Sequence, residues 1–357
     1  MTATALPPRT QDLSEGPLGI ALLDIERGDL SAARRHLARA VAHGVSAGGN
    51  ASLFHGAPAL EFVLSCAGQP SRHVRGVVDR VVDARLATAR RRQQSGALPH
   101  PAEWDLIRGL TGLAALLLTR HERSARLTGV VAYLVSLSRP IRFGDRHLPG
   151  WWSALGPGGK ELAGGHGDNG MAHGIAGPLS VLSLAAQRDL LVPGHQEAIE
   201  TFARWLDRYG GHYWTTLAQL DAVEPPGPEL ARPSWCYGTP GIARAQQLAA
   251  LTLGDKDRQQ AAEDTVVRTL TDPAQLIRVT DSTVCHGWAG LVALARAVAA
   301  DSPAPERFTP VIDDLRQRLA SGLDLLVKPG FMEGRGGARL AHHGTNTTNW
   351  TRALLIT

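Results

Sequence analysis

The chain has 357 residues, enough to bury a sizeable core, and is 43% hydrophobic with only 5% aromatic residues. Its formal net charge of +4 comes from arginines scattered among acids, and the one basic run, Arg90-Arg91-Arg92, closes a helical pattern, so no nucleic-acid surface is indicated. No apolar run approaches a membrane span, no apolar targeting core opens the chain, and three cysteines are too few for a disulfide framework; a cytoplasmic location is expected.

Along the chain one pattern recurs seven times: a polar residue, a Gly, two residues, usually a second Gly, then a run of Leu, Ala, Val and Ile. The units begin at Gly16, Gly56, Gly109, Gly174, Gly238, Gly287 and Gly334, at intervals of 40 to 65 residues. The second unit has Ala59 in place of its second Gly, and the seventh is the least apolar. Between these runs lie amphipathic stretches. Leu30, Ala33, Leu37 and Val41 keep helical spacing, and Ser71 is placed to cap a helix carrying Val74, Val77, Val78, Val81, Val82 and Leu86. Ile199, Phe202, Leu206 and Tyr209 form another stripe, as do Ile312, Leu315 and Leu319. Helices apolar nearly all round belong inside and amphipathic ones outside. The expectation is an all-α fold, an α/α toroid of seven inner and seven outer helices, forming one domain over 1–357. No β-rich section is evident, although the loop-rich region 120–165 has room for a small insertion.

Each motif lies where a loop turns into an inner helix. Glycine there permits positive φ and close backbone approach. Alternation makes the inner helices parallel, so their N-termini gather at one mouth, where unpaired N–H groups favour anions. The residues just before the first Gly are Glu15, His55, Arg108, His173, Tyr237, His286 and Glu333, all polar or ionisable. One position earlier the chain is mostly apolar (Phe54, Ile107, Ala172, Met332) but reads Cys in the fifth and sixth units, Cys236 and Cys285. Two thiolates and the imidazole of His286 suit a zinc ion and leave a fourth tetrahedral position open. Cys66 has no such frame and reads as core. His166, His342 and His343 read as loop residues without a role.

The segments WCYGTPG, CHGWAG, AHGIAG after Gly-Asp-Asn-Gly, and WDLIRGLTG together resemble the lanthipeptide synthetase C family, the lanthionine cyclases, and the resemblance runs from Gly16 to the terminal WTRALL. It implies an α/α toroid with a central zinc ion on Cys236, Cys285 and His286. It also implies roles for His173 as acid or base, for Asp105 as its active-site aspartate, and for Arg232 and Tyr237 beside the metal. The implied reaction is addition of cysteine thiols to dehydroalanine or dehydrobutyrine in a precursor peptide with a leader, dehydrated beforehand by a separate dehydratase. A complex with that enzyme and a transporter is a further expectation. Two other functions fit the same residues: addition of glutathione or another thiol to dehydroamino acids, and a non-catalytic peptide-binding scaffold. Asp105 also suits a helix cap, and that reading stays open here.

Overall fold

In the computed structural model, which describes residues 11–120, 122–156, 159–224, 227 and 232–357, the chain alternates between two layers of helix. In chain order these are α1 (Pro17–Glu26), α2 (Leu30–Val41), α3 (Ala57–Cys66), α4 (Arg72–Ser95), α5 (Leu110–Thr119), α6 (Ala125–Ser136) and α7 (Ala176–Ala186). They continue with α8 (His195–Tyr209), α9 (Thr239–Leu253), α10 (Lys256–Thr271), α11 (Trp288–Ala300), α12 (Thr309–Gly322) and α13 (Arg335–His343). The odd-numbered helices are the inner ones. Each packs on the next, from α1 through α3, α5, α7, α9 and α11 to α13, and α13 returns to α1. The fold is an α/α toroid.

Sequence decides which helix lies inside. Every residue of α5 from Leu110 to Leu118 is buried, whereas α2 buries only Ala32, Ala33 and Ala40 and turns its arginines outward. Among these helices, side-chain N-caps occur only in the outer layer, on four of its six members. Asp29, Ser71, Ser124 and Asp255 accept backbone N–H bonds at the starts of α2, α4, α6 and α10, while no inner helix has a side-chain cap. Loop carbonyls meet the first N–H groups of several inner helices instead, as where Trp288 N donates to Asp281 O (3.1 Å) and Arg335 N to Lys328 O (2.9 Å). At the far end, arginines meet the inner helices' last carbonyls: Arg188 donates to Leu118 O (3.3 Å) and Arg296 to Ala341 O (2.5 Å).

The seventh unit returns by a 3₁₀ turn, Trp350–Leu354, instead of a long amphipathic helix. Residues 353–356 are buried, and the turn packs on α5. Trp235 Nε1 donates to Leu354 O (2.9 Å), and the buried Arg244 donates to Ile356 O from Nε (2.9 Å) and Nη2 (2.6 Å). The Glu26 carboxylate gathers the preceding turn by accepting from the hydroxyls of Thr345, Thr347 and Thr348.

The motif glycines act chiefly through close approach. At six of the seven second positions a Cβ would collide with the carbonyl oxygen six residues earlier, as at Gly177 against Met171 O (2.8 Å) and Gly19 against Leu13 O (2.6 Å). Ala59 escapes because its loop enters differently: Gly56 has φ +71°, whereas Gly16, Gly109, Gly238, Gly287 and Gly334 are extended. Gly290→Ala, which forces a methyl onto Val284 O, is expected to destabilise the protein by about 1–3 kcal/mol, read as a lower Tm.

The expectation of no β-rich section needs correction. Strands β1 (Ile141–Phe143) and β2 (Arg146–Leu148) form a hairpin, and β3 (Ser153–Leu155), β4 (Glu161–Asp168) and β5 (Trp214–Thr216) form an antiparallel sheet with β4 central. β4 runs from exposed Glu161 to buried Asp168 and so passes from solvent into the mouth.

Candidate active site

The loops that precede the inner helices are stitched together around the mouth by their backbones. Ala172 N donates to Cys236 O (3.1 Å), Cys236 N to Cys285 O (3.2 Å), Cys285 N to Met332 O (3.0 Å) and Met332 N to Ser14 O (2.9 Å). All five residues stand two before a motif glycine. Equivalent positions in neighbouring units are thus adjacent in space, which is what brings the two cysteines together.

The metal-ligand atoms of Cys236, Cys285 and His286 lie within 4.8 Å of one another, the one such cluster found among the described residues. Ligands about 2.0–2.3 Å from a shared tetrahedral ion lie roughly 3.5 Å apart, so small side-chain rotations complete the site. Its electrostatics suit a cation. A hydrogen bond from Cys285, outweighing burial and joined by His286, holds the Cys236 sulfur well below the usual thiol range. That negative charge pushes the Cys285 thiol up, as does burial. His286 is raised by its bond to Cys236 and by Asp281, whose Oδ2 lies 3.3 Å from His286 Nε2. A carboxylate on one imidazole nitrogen is the usual support of a ligating histidine. Two soft sulfurs, a nitrogen and this orienting carboxylate fit zinc.

A second group lies beside the first. Asp105 is fully buried; its Oδ1 accepts from Arg108 N (2.6 Å) and Gly109 N (3.0 Å), and its Oδ2 lies 2.7 Å from His173 Nδ1. The carboxylate therefore caps the entry to α5 and also orients His173. Burial opposes charge on His173, but the hydrogen bond and charge of Asp105 outweigh it and raise the imidazole above its ordinary value. The Tyr237 ring stacks on His173 with centroids 6.0 Å apart. Arg232 is half-buried and its charge is felt at His286. His173, Tyr237, Arg108, Asp168 and His166 share a cavity of about 220 Å3, closed on one side by Leu155, Gly156 and Gly159 next to the turn between β3 and β4. The sequence-derived residues thus fall into a Cys236–Cys285–His286 cluster with Arg232 near it, and a His173–Asp105–Tyr237 cluster joined to the first through Tyr237.

The sequence profile described as Lanthionine synthetase C-like protein matches residues 7–343. The chain belongs to the lanthionine synthetase C-like family. Among solved structures it is similar to nisin cyclase, with a TM-score of 0.78 and 18% identity over 98% of this chain and 92% of that one. No curated protein sequence matches it.

In this family member two mouth residues escape a sequence reading. His166 is no loop residue: it is buried in β4, paired with Ser153 and Thr216, and burial keeps its imidazole below the usual range. Asp168 is buried and accepts the Tyr237 hydroxyl at 3.0 Å. The one available signal was Asp168's place five residues before His173 in the same motif. His342 and His343 end α13, outside both clusters. Glu15 and Glu333 are tied to each other through Lys328 at the rim.

Proposed function

We propose that this protein is a lanthionine cyclase that joins cysteine thiols of a dehydrated precursor peptide to dehydroalanine or dehydrobutyrine in the same peptide, with zinc held by Cys236, Cys285 and His286. The observation that carries this reading is the convergence of two thiols and an imidazole within 4.8 Å, beside a carboxylate-backed histidine. Membership of the family and the likeness to a protein named nisin cyclase support it. In the same reading, 1–357 is one toroidal domain with a small insertion in 120–165. It works in the cytoplasm on a leader-bearing peptide, alongside a dehydratase and a transporter. No helix among the described residues is long and apolar enough to cross a membrane.

Zinc in this site supplies thiolate at neutral pH by lowering the pKa of a thiol brought to it. His173 has Nδ1 committed to Asp105, so Nε2 is the atom that takes the thiol proton. Sulfur bonds to the β-carbon as the alkene pair moves toward the carbonyl oxygen. Arg232 and the inner-helix dipoles stabilise that enolate. The proton held at His173 Nε2 returns to the α-carbon, so the peptide's mass is unchanged. Tyr237 donates its hydroxyl to Asp168 and acts by orienting its neighbours.

The test incubates zinc-loaded protein with a dehydrated, cysteine-containing peptide and then alkylates the remaining thiols. Cysteines that resist alkylation in a peptide of unchanged mass are the expected result. Full alkylation of every cysteine overturns the reading, and consumption of added glutathione reassigns the activity to intermolecular thiol addition.

A further inference from the structure

We propose that Asp168 is a positioning residue, delivered to the mouth by the inserted sheet, that fixes Tyr237 against His173. This rests on the cyclase reading above and adds a residue and an element to it.

The geometry is specific. Asp168 ends β4, paired with Trp214 of β5, and its two carboxylate oxygens are divided between two motifs. Oδ1 accepts from Gly170 N at 3.0 Å, within the loop that carries His173. Oδ2 accepts the Tyr237 hydroxyl at 3.0 Å, in the loop that carries Cys236. The seam between the loops has no slack: a Cβ on Gly170 would lie 2.6 Å from Cys236 O and 2.8 Å from Tyr237 Cδ1, and one on Gly174 would lie 2.5 Å from Asp168 Oδ1. Asp168 therefore sets where the Tyr237 ring stands, and that ring is the surface His173 stacks upon.

Stability alone does not account for an acid here. Asp168 is buried, and the basic group that acts on it most strongly is His173, which is cationic only when protonated. Burial pushes its carboxyl up to about 6, against the hydrogen bond from Gly170 and the pull of His173. The sign follows: the folded protein holds this proton more tightly than the unfolded chain does. The carboxylate's burial penalty is thus relieved near pH 4 and grows as pH rises through about 6. An asparagine would still accept from Gly170 N through its Oδ1 and would span the gap to Tyr237 with its amide donating to the phenol oxygen, a reversed bond made without that penalty. A charge kept at the expense of stability, facing His173, Tyr237 and Asp105, is a mark of function.

Asp168→Asn is expected to raise Tm at pH 8 and leave it nearly unchanged at pH 4, while kcat falls about 10-fold at constant KM. Loss of the negative charge should also lower the His173 pKa, read by NMR of its imidazole, and move the acid limb of the rate profile to lower pH. Asp168→Ala releases Tyr237 as well and is expected to fall about 100-fold, with Tyr237→Phe adding little on top. A purely structural role predicts the opposite: Asp168→Asn with wild-type kcat and an unmoved His173 titration overturns the proposal, as do fully additive effects of Asp168→Ala and Tyr237→Phe. The Tm and NMR readouts need no turnover. A wild-type protein that forms no rings but shows both shifts refutes the cyclase reading and keeps Asp168 as the residue that positions Tyr237 and His173.

Discussion

Cys285→Ala is expected to bind zinc about 100- to 1,000-fold more weakly and to form no rings at stoichiometric metal. Zinc binding to a four-ligand site is worth roughly 10–16 kcal/mol, so one ligand of four accounts for about 2.5–4 kcal/mol. The fold should survive the change. Cys285 is half-buried at the mouth, and the backbone bond from its N–H to Met332 O does not involve the side chain. Metal content after dialysis against a competing chelator measures the loss, with thermal unfolding as the control for folding. Cys66→Ala is the matched comparison. Burial pushes its thiol up to about 12, it packs at the end of α3 remote from the motif loops, and its removal should leave zinc affinity untouched. Equal zinc affinity in Cys285→Ala and the wild type would falsify the assigned ligand set.

The metal cluster was legible because repetition converts sequence phase into position. Residues two before each motif glycine are neighbours in a backbone-bonded ring, so two cysteines in that frame, 49 residues apart, meet without any further information. His173 was legible in the same frame, since it directly precedes a motif glycine, whereas Asp105 stands four residues before Gly109 and was marked only by the family resemblance. What broke the frame was hidden. β4 reads Glu-Leu-Ala-Gly-Gly-His-Gly-Asp, and two of its glycines, Gly164 and Gly165, have positive φ. It lacks the alternation that marks a strand, and its partners in β5 lie some 50 residues on. His166 and Asp168 were lost with it. The C-terminal Trp350–Leu354 turn was hidden differently: a short apolar run does not disclose whether it lines the outside or fills the inside, and Arg244's bond to the Ile356 carbonyl settles that only in three dimensions. Ala59 read as a weakened repeat, yet it marks a loop that turns at Gly56 and so needs no second glycine.

Asp105→Asn is expected to lower kcat by about 10²–10⁴-fold with Tm nearly unchanged above the raised His173 value. The two oxygens of Asp105 do separate work, and asparagine separates them. Its Oδ1 still accepts from Arg108 N and Gly109 N, so the entry to α5 stays capped. Its amide nitrogen then faces His173 Nδ1 and donates to it, which makes Nδ1 the acceptor and leaves the proton on Nε2, where a base for the incoming thiol must be bare. The pH profile carries the sign. Asp105 raises His173 against the effect of burial, so the pair's contribution to stability is fully present below the ordinary imidazole value of about 6.5 and is lost as pH rises through the raised one. A base must be neutral to act, so the wild-type rate should climb through that raised value. In Asp105→Asn the climb should move to lower pH while the plateau falls, and the stability slope above about pH 6.5 should flatten. A wild-type plateau with an unmoved acid limb would leave Asp105 as a helix cap alone, and His173 would then need another source for its orientation.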